Sequence, residues 1–219
     1  SADIPIDDLI PGGTHPARVK LLKEELIAFQ TGMVSLRSKM KTSKAEPCIE
    51  SGSWRKDFLS MFPYELTTAQ SRVESEINKD LIKSEPMMRL VQGDVGSGKT
   101  AVAVLAATKS LDSNFQAAFM APTTLLAQQH FENIKKFFPN HVDEIELLTS
   151  GLTKSVRKKI LEKIKSGKIK FIVGTHAIFQ VDVEYCNLAL AIIDEQHRFG
   201  VNQRLALIKK TENQNIHPH

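Results

Sequence analysis

Eight consecutive residues, Gly93-Asp94-Val95-Gly96-Ser97-Gly98-Lys99-Thr100, restrict this chain more than any other stretch. They match G-x-x-x-x-G-K-[ST] at every fixed position. The flanks match as well. Met88 to Gln92 reads as a short buried strand before the loop, and Thr100 to Ser110 as an Ala-rich helix after it. Strand, glycine loop and helix in that order make an anion trap. Glycines let the backbone close round a phosphate, successive N–H groups point inward, and the helix N-terminus adds partial positive charge. Lys99 is placed to meet the outer phosphates and Thr100 to hold Mg²⁺. A turn of purely structural use has no need of the Lys-Thr pair at this spacing.

Downstream of the loop, apolar runs alternate with amphipathic ones. Strands are expected over Gln116 to Ala121, Glu144 to Leu148, Ile169 to Val173 and Leu188 to Ile193. Helices are expected through Leu126, Phe131, Ile134 and Phe138, and through Val156, Ile160 and Ile164. Such alternation predicts an α/β fold: a parallel sheet covered by helices on both faces, with right-handed crossovers. Ligands of these sheets gather at the carboxyl ends of the strands. Pro122-Thr123-Thr124, Gly174-Thr175-His176 and Asp194-Glu195 all fall there.

Ahead of this region lies a different pattern. Thr14-His15-Pro16 offers a helix start, and Leu22, Leu26, Phe29, Met33, Leu36 and Met40 form one apolar stripe at steps of three and four. Under three heptads, with Gly32 inside, the stripe suits packing against its own protein; the alternative is an oligomerisation helix over 17–42. Lys39 to Gly52 is polar and broken by Pro47, and Trp54 to Met61 reads as a short helix. These features divide the chain into an N-terminal linker and helical segment, 1–62, and an α/β domain, 63–219.

The bulk numbers set wider limits. Lys and Arg total 29 against 25 Asp and Glu, a net charge of +4 that permits a polyanionic partner without requiring one. Cys48 and Cys186 stand far apart, as expected of a reducing compartment without a disulfide framework. The longest uninterrupted apolar run, Ala101 to Ala107, is far short of a membrane span, and no signal peptide is visible. A cytoplasmic monomer without a membrane partner is the expectation, read as a piece of a longer protein.

Asp194-Glu195 completes the nucleotide reading. Asp194 is suited to anchor Mg²⁺ and Glu195 to orient and deprotonate an attacking water, so γ-phosphate hydrolysis of ATP is the natural chemistry. Gln70, just after the helix caps Thr67 and Thr68, offers the donor and acceptor pair an adenine edge requires. His197 and Arg198 follow the acids closely enough to report the γ-phosphate to another part of the molecule, although a loop histidine also serves as a plain structural hydrogen-bonder. Two readings stay open for Pro122, Thr123, Thr124, Thr175 and His176: helix caps, or contacts to phosphodiester backbone. The same holds for Lys154, Arg157, Lys158, Lys159, Lys163, Lys165, Lys168 and Lys170, a solvated basic face or a nucleic-acid surface.

Gly93 to Thr100, Ala121-Pro-Thr-Thr-Leu-Leu-Ala-Gln-Gln-His130, Val173-Gly-Thr-His-Ala-Ile-Phe-Gln180, Ile193-Asp-Glu-Gln-His-Arg-Phe-Gly-Val201 and Leu66-Thr-Thr-Ala-Gln70 resemble the RecG-type helicases of superfamily 2. The translocase module of transcription-repair coupling factors is similar at Phe62-Pro-Tyr-Glu65 but typically has Glu where Gln196 stands. A P-loop ATPase outside the helicases is the other alternative. The RecG resemblance implies a RecA-like motor domain acting on branched or forked duplex DNA, in fork reversal, Holliday junction processing, recombination and repair. It implies that Tyr64 stacks and Gln70 reads adenine, that Gly93 to Thr100 hold phosphates, and that Asp194 and Glu195 serve metal and water. It places the Ala121 and Val173 segments along DNA and makes Gln196, with His197 and Arg198, part of the coupling machinery. It also implies a wedge domain and a second motor domain beyond this chain, without which ATP turnover is expected to be negligible.

Overall fold

A computed structural model describes residues 43–94, 96–194 and 217–219, together with the helical positions Lys20 and Ile27. The chain divides into two units, Ser1–Lys41 and Thr42–His219. The long helix expected in the first unit otherwise lies outside the described residues. The sequence boundary at 62/63 falls inside the second unit.

Five α-helices and four strands are described in that unit: α1 (Ser53–Met61), α2 (Thr68–Leu81), α3 (Lys99–Asp112), β1 (Gln116–Met120), α4 (Thr124–Phe137), β2 (Ile145–Leu148), α5 (Lys154–Lys165), β3 (Phe171–Gly174) and β4 (Leu188–Ile193). The strands form one sheet in the order β2-β3-β1-β4, every pair parallel. Alternate residues build two cores, as the two-residue period of a strand demands. Ala117, Phe119, Phe171 and Val173 join the core that holds α1 to α4, including Leu105 and Ile134. Ala118, Met120, Ile172 and Leu148 join the other, with Ile160 and Ile164 of α5. The sheet is thus covered on both faces, as the alternation predicts.

Residues 43–62 pack into the first core through Cys48, Trp54 and Phe58. Helix α1 opens on Gly52, which has no side chain to cap it, and Asp112 from the end of α3 substitutes. Its carboxylate accepts from Trp54 N at 3.0 Å and Arg55 N at 3.2 Å, satisfying first-turn amides. Trp54 stacks on His141 with ring centroids 4.0 Å apart and meets Phe138 edge-on at 5.0 Å.

The expected strand over Met88 to Gln92 is absent, and Leu90 is 55% exposed. An apolar run becomes a strand only when a neighbour completes its ladder. Among the described residues, the outer edge of β4 meets His217–His219 instead. Ala191 N donates to His219 O at 2.9 Å and His219 N to Ala189 O at 2.7 Å. The segment before the loop is held by side chains. Arg89 donates to Asp80 through Nη2 at 2.6 Å and to Glu76 through Nη1 at 2.7 Å, both on α2. Burial works to raise the Asp80 carboxyl, but hydrogen bonds from Lys83 and Arg89 outweigh it and hold it below the usual carboxylate range.

The basic helix α5 is partly neutralised. Arg157 pairs with Asp182 at 2.9 Å and Lys165 with Glu184, while Lys154, Lys158 and Lys159 are exposed.

Candidate functional site

The phosphate loop forms on glycine geometry. Gly96 and Gly98 take φ of 79° and 78°, a region costly for any side chain. Gly98 is also the N-cap of α3, and a Cβ there would strike Gln70 Nε2. Lys99 is the first residue of α3, and no acidic residue occupies the first turn. A cation at the positive pole of a helix is unfavourable by itself, and an anion bound there reverses the balance. Lys99 Nζ donates to Gly93 O and Asp94 O, each at 2.7 Å, arching back over the loop's own carbonyls. Residues 93, 94, 96 and 97 are exposed and Gly98, Lys99 and Thr100 half-buried, so the loop is open to a solute. First-turn amides without intrahelical acceptors, a cation and a hydroxyl are the donor set a Mg²⁺-triphosphate requires, and these residues fit it.

Gln70 belongs to both sides of this site. Thr67 caps α2 in a reciprocal box: Gln70 N donates to Thr67 Oγ1 at 3.2 Å and Thr67 N donates to Gln70 Oε1 at 2.8 Å. The other end of the amide, Nε2, donates to Ser97 O at 2.9 Å. Gln70 therefore ties the start of α2 to the phosphate loop. Tyr64, two residues beyond the Phe62 ring that packs on Phe58, is 76% exposed and offers an open aromatic surface.

The acid half is built from backbone. Asp194 follows β4 directly, and its N–H donates to Met120 O at 2.9 Å, continuing the β1–β4 ladder to the carboxyl edge. Its Oδ2 lies 3.1 Å from His130 Nε2 on α4. His130 was not singled out by the sequence pattern. The available signal was its position at the core-facing spacing of Ala127 and Ile134. Glu195, Gln196, His197, Arg198 and Val95 lie outside the described residues.

The segments at the ends of β1 and β3 differ from each other. Thr123 caps α4, accepting from Leu126 N at 3.2 Å; Thr123 and Thr124 are exposed and Pro122 half-buried. Thr175 is 4% exposed and its buried hydroxyl has no hydrogen-bond partner among the described residues, whereas the neighbouring His176 is exposed. Gly174 between β3 and Thr175 is required by close approach: a Cβ there would strike the Leu148 carbonyl.

Against known proteins, the DEAD/DEAH box helicase profile matches residues 67–216, from the cap of α2 past the acids. The chain belongs to that family. Membership of the DEAD/DEAH box helicases sets aside the reading of a P-loop ATPase outside them. The ATP-dependent DNA helicase RecG of Haemophilus influenzae is 47% identical over 97% of this chain. That of Thermotoga maritima is 43% identical over 89%. The chain spans 31% and 25% of the length of these two curated relatives. A solved structure described as RecG bound to a three-way DNA junction superposes with a TM-score of 0.71 at 41% identity, over 84% of this chain and 25% of that one. The resemblance carried by the motifs therefore extends over nearly the whole chain, and the described α/β unit has the RecA-like fold.

Proposed function

We propose that this chain is the ATP-binding motor domain of a RecG-like, ATP-dependent helicase acting on branched or forked duplex DNA. One observation carries the reading: a lysine opens a helix at its positive pole, behind two positive-φ glycines, with no acid in the first turn. That arrangement is favourable when an anion sits on it.

In this reading the amides of Gly93 to Thr100 cradle the phosphates and Lys99 exchanges the Gly93 and Asp94 carbonyls for phosphate oxygens. Thr100 and Asp194 would hold Mg²⁺, which supplies charge neutralisation at the transferred phosphoryl group. Glu195 orients the attacking water and takes its proton. Tyr64 stacks against the base, and Gln70 reads its edge by giving up one of its present bonds to Ser97 or Thr67. Pro122, Thr123, Thr124 and His176 line the DNA path, with Thr175 joining once its buried hydroxyl is uncovered. Gln196, His197 and Arg198 couple the γ-phosphate to a second motor domain outside this chain, and a wedge domain outside it meets the fork. A cytoplasmic location suits this work, and among the described residues no helix is long and apolar enough to cross a membrane.

The test uses the longer protein that carries this chain. Its ATP hydrolysis should rise on adding forked duplex, fall steeply as salt is raised, and vanish in Lys99→Ala. Hydrolysis indifferent to DNA would overturn the reading.

A further inference from the structure

The geometry points to His130 as a positioning residue for Asp194, one that helps set the carboxylate in place for Mg²⁺. This inference rests on the nucleotide reading above. Asp194 has its backbone fixed by the bond to Met120 O, which leaves the rotation of its carboxylate to be settled by side-chain contacts. His130 Nε2 stands 3.1 Å from Oδ2. An ionised carboxylate has only lone pairs to offer, so the imidazole donates, and Nε2 carries the proton.

The ring is itself held. It lies 4.8 Å from the Phe119 ring at an interplanar angle of 48°, with Phe119 buried in β1 one residue before the carbonyl that anchors Asp194. The backbone of α4 is set by the Thr123 cap, seven residues upstream. Strand β1 thus fixes both partners: through Met120 it holds the backbone of Asp194, and through Phe119 a donor to its side chain. The side chains of His130 and Asp194 are 15% and 29% exposed, so the bond is partly shielded from competing water. Hydrogen-bonded outer partners of this kind orient metal-binding carboxylates, and their loss weakens metal binding about 10–100-fold.

A merely structural tether between α4 and β4 would lower stability without altering metal dependence. Binding of N-methylanthraniloyl-ATP to the 219-residue chain, titrated with MgCl₂ and repeated in EDTA, separates the two. His130→Phe keeps a ring against Phe119 and loses the donor. We expect its Mg²⁺ midpoint to rise about tenfold while binding in EDTA is unchanged. His130→Gln, whose amide reaches as far as Nε2, should return within about twofold of the parent; His130→Asn, which is shorter, should not. If His130→Phe does not fold, the Gln and Asn variants decide alone. A Mg²⁺ midpoint equal to the parent's in His130→Phe, or equal in Gln and Asn, overturns the inference while leaving the nucleotide reading intact. A parent chain that binds no better than Lys99→Ala in saturating Mg²⁺ overturns both.

Discussion

The two halves of the site rest on different kinds of support. Asp194 rides on the sheet: its amide is one more rung of the β1–β4 ladder, and β1, which accepts it, is buried on both faces. The phosphate loop rides on side chains. Its lead-in has no strand, and what holds it is Arg89 on Asp80 and Glu76, Gln70 on Ser97, and Lys99 on the loop's own carbonyls. Ladder bonds are cooperative and shielded, whereas exposed ion pairs are each worth about 0–1 kcal/mol. The acid's backbone is fixed by the sheet, whereas the loop is held by side-chain bonds that can exchange. In the proposed function, the side-chain bonds of Lys99 to Gly93 and Asp94 are the ones a phosphate replaces, and that of Gln70 to Ser97 is one a base replaces.

The largest effect expected on either half is Lys99→Ala. Losing charge-assisted bonds of about 2–3 kcal/mol should weaken MgATP binding about a hundredfold in calorimetry, with the melting temperature nearly unchanged. On the sheet half, Gly174→Ala should lower stability by about 1–3 kcal/mol in urea unfolding, because the added methyl meets the Leu148 backbone. Equal stability would mean that the β2–β3 edge is as pliable as the loop. Gln70→Ala removes the capping box and the bridge to Ser97, costing about 1 kcal/mol. Its amide exchange should quicken at the loop and the start of α2, with the β1–β4 amides unaffected.

Asp80→Asn is the smallest, about 0.5–1 kcal/mol, since Asp80 remains partly exposed. Because the folded carboxyl sits below its ordinary value, its contribution is fully present above about pH 4. It is lost as pH falls through the folded value. The difference between parent and Asp80→Asn should therefore shrink on acidification, in urea unfolding measured between pH 6 and pH 2.

Sequence disclosed these halves unequally. The loop was legible because its requirements are local: positive φ at Gly96 and Gly98 and a Lys-Thr pair opening a helix. Strands β1 to β4 were legible because buried parallel strands are short apolar runs between amphipathic helices. The run Met88 to Gln92 passes that same test and fails in the structure, since a ladder partner is a tertiary property that composition does not encode. His130 was hidden for a related reason: its partner lies 64 positions away in sequence, and a histidine on a helical stripe is usually packing. Gln70 was readable as a polar group near a nucleotide, but its bond to Ser97 depends on where α2 docks.

The central claim is that amides at one sheet edge grip a triphosphate opposite Asp194. Amide resonances of the ¹⁵N-labelled 219-residue chain, followed during MgATP titration, test it most directly. The account predicts saturable shifts at Gly96 to Thr100 and at Asp194, with the turn Pro139–Glu144 unmoved. An unmoved loop at saturating nucleotide, or shifts confined to other parts of the sheet, would contradict it.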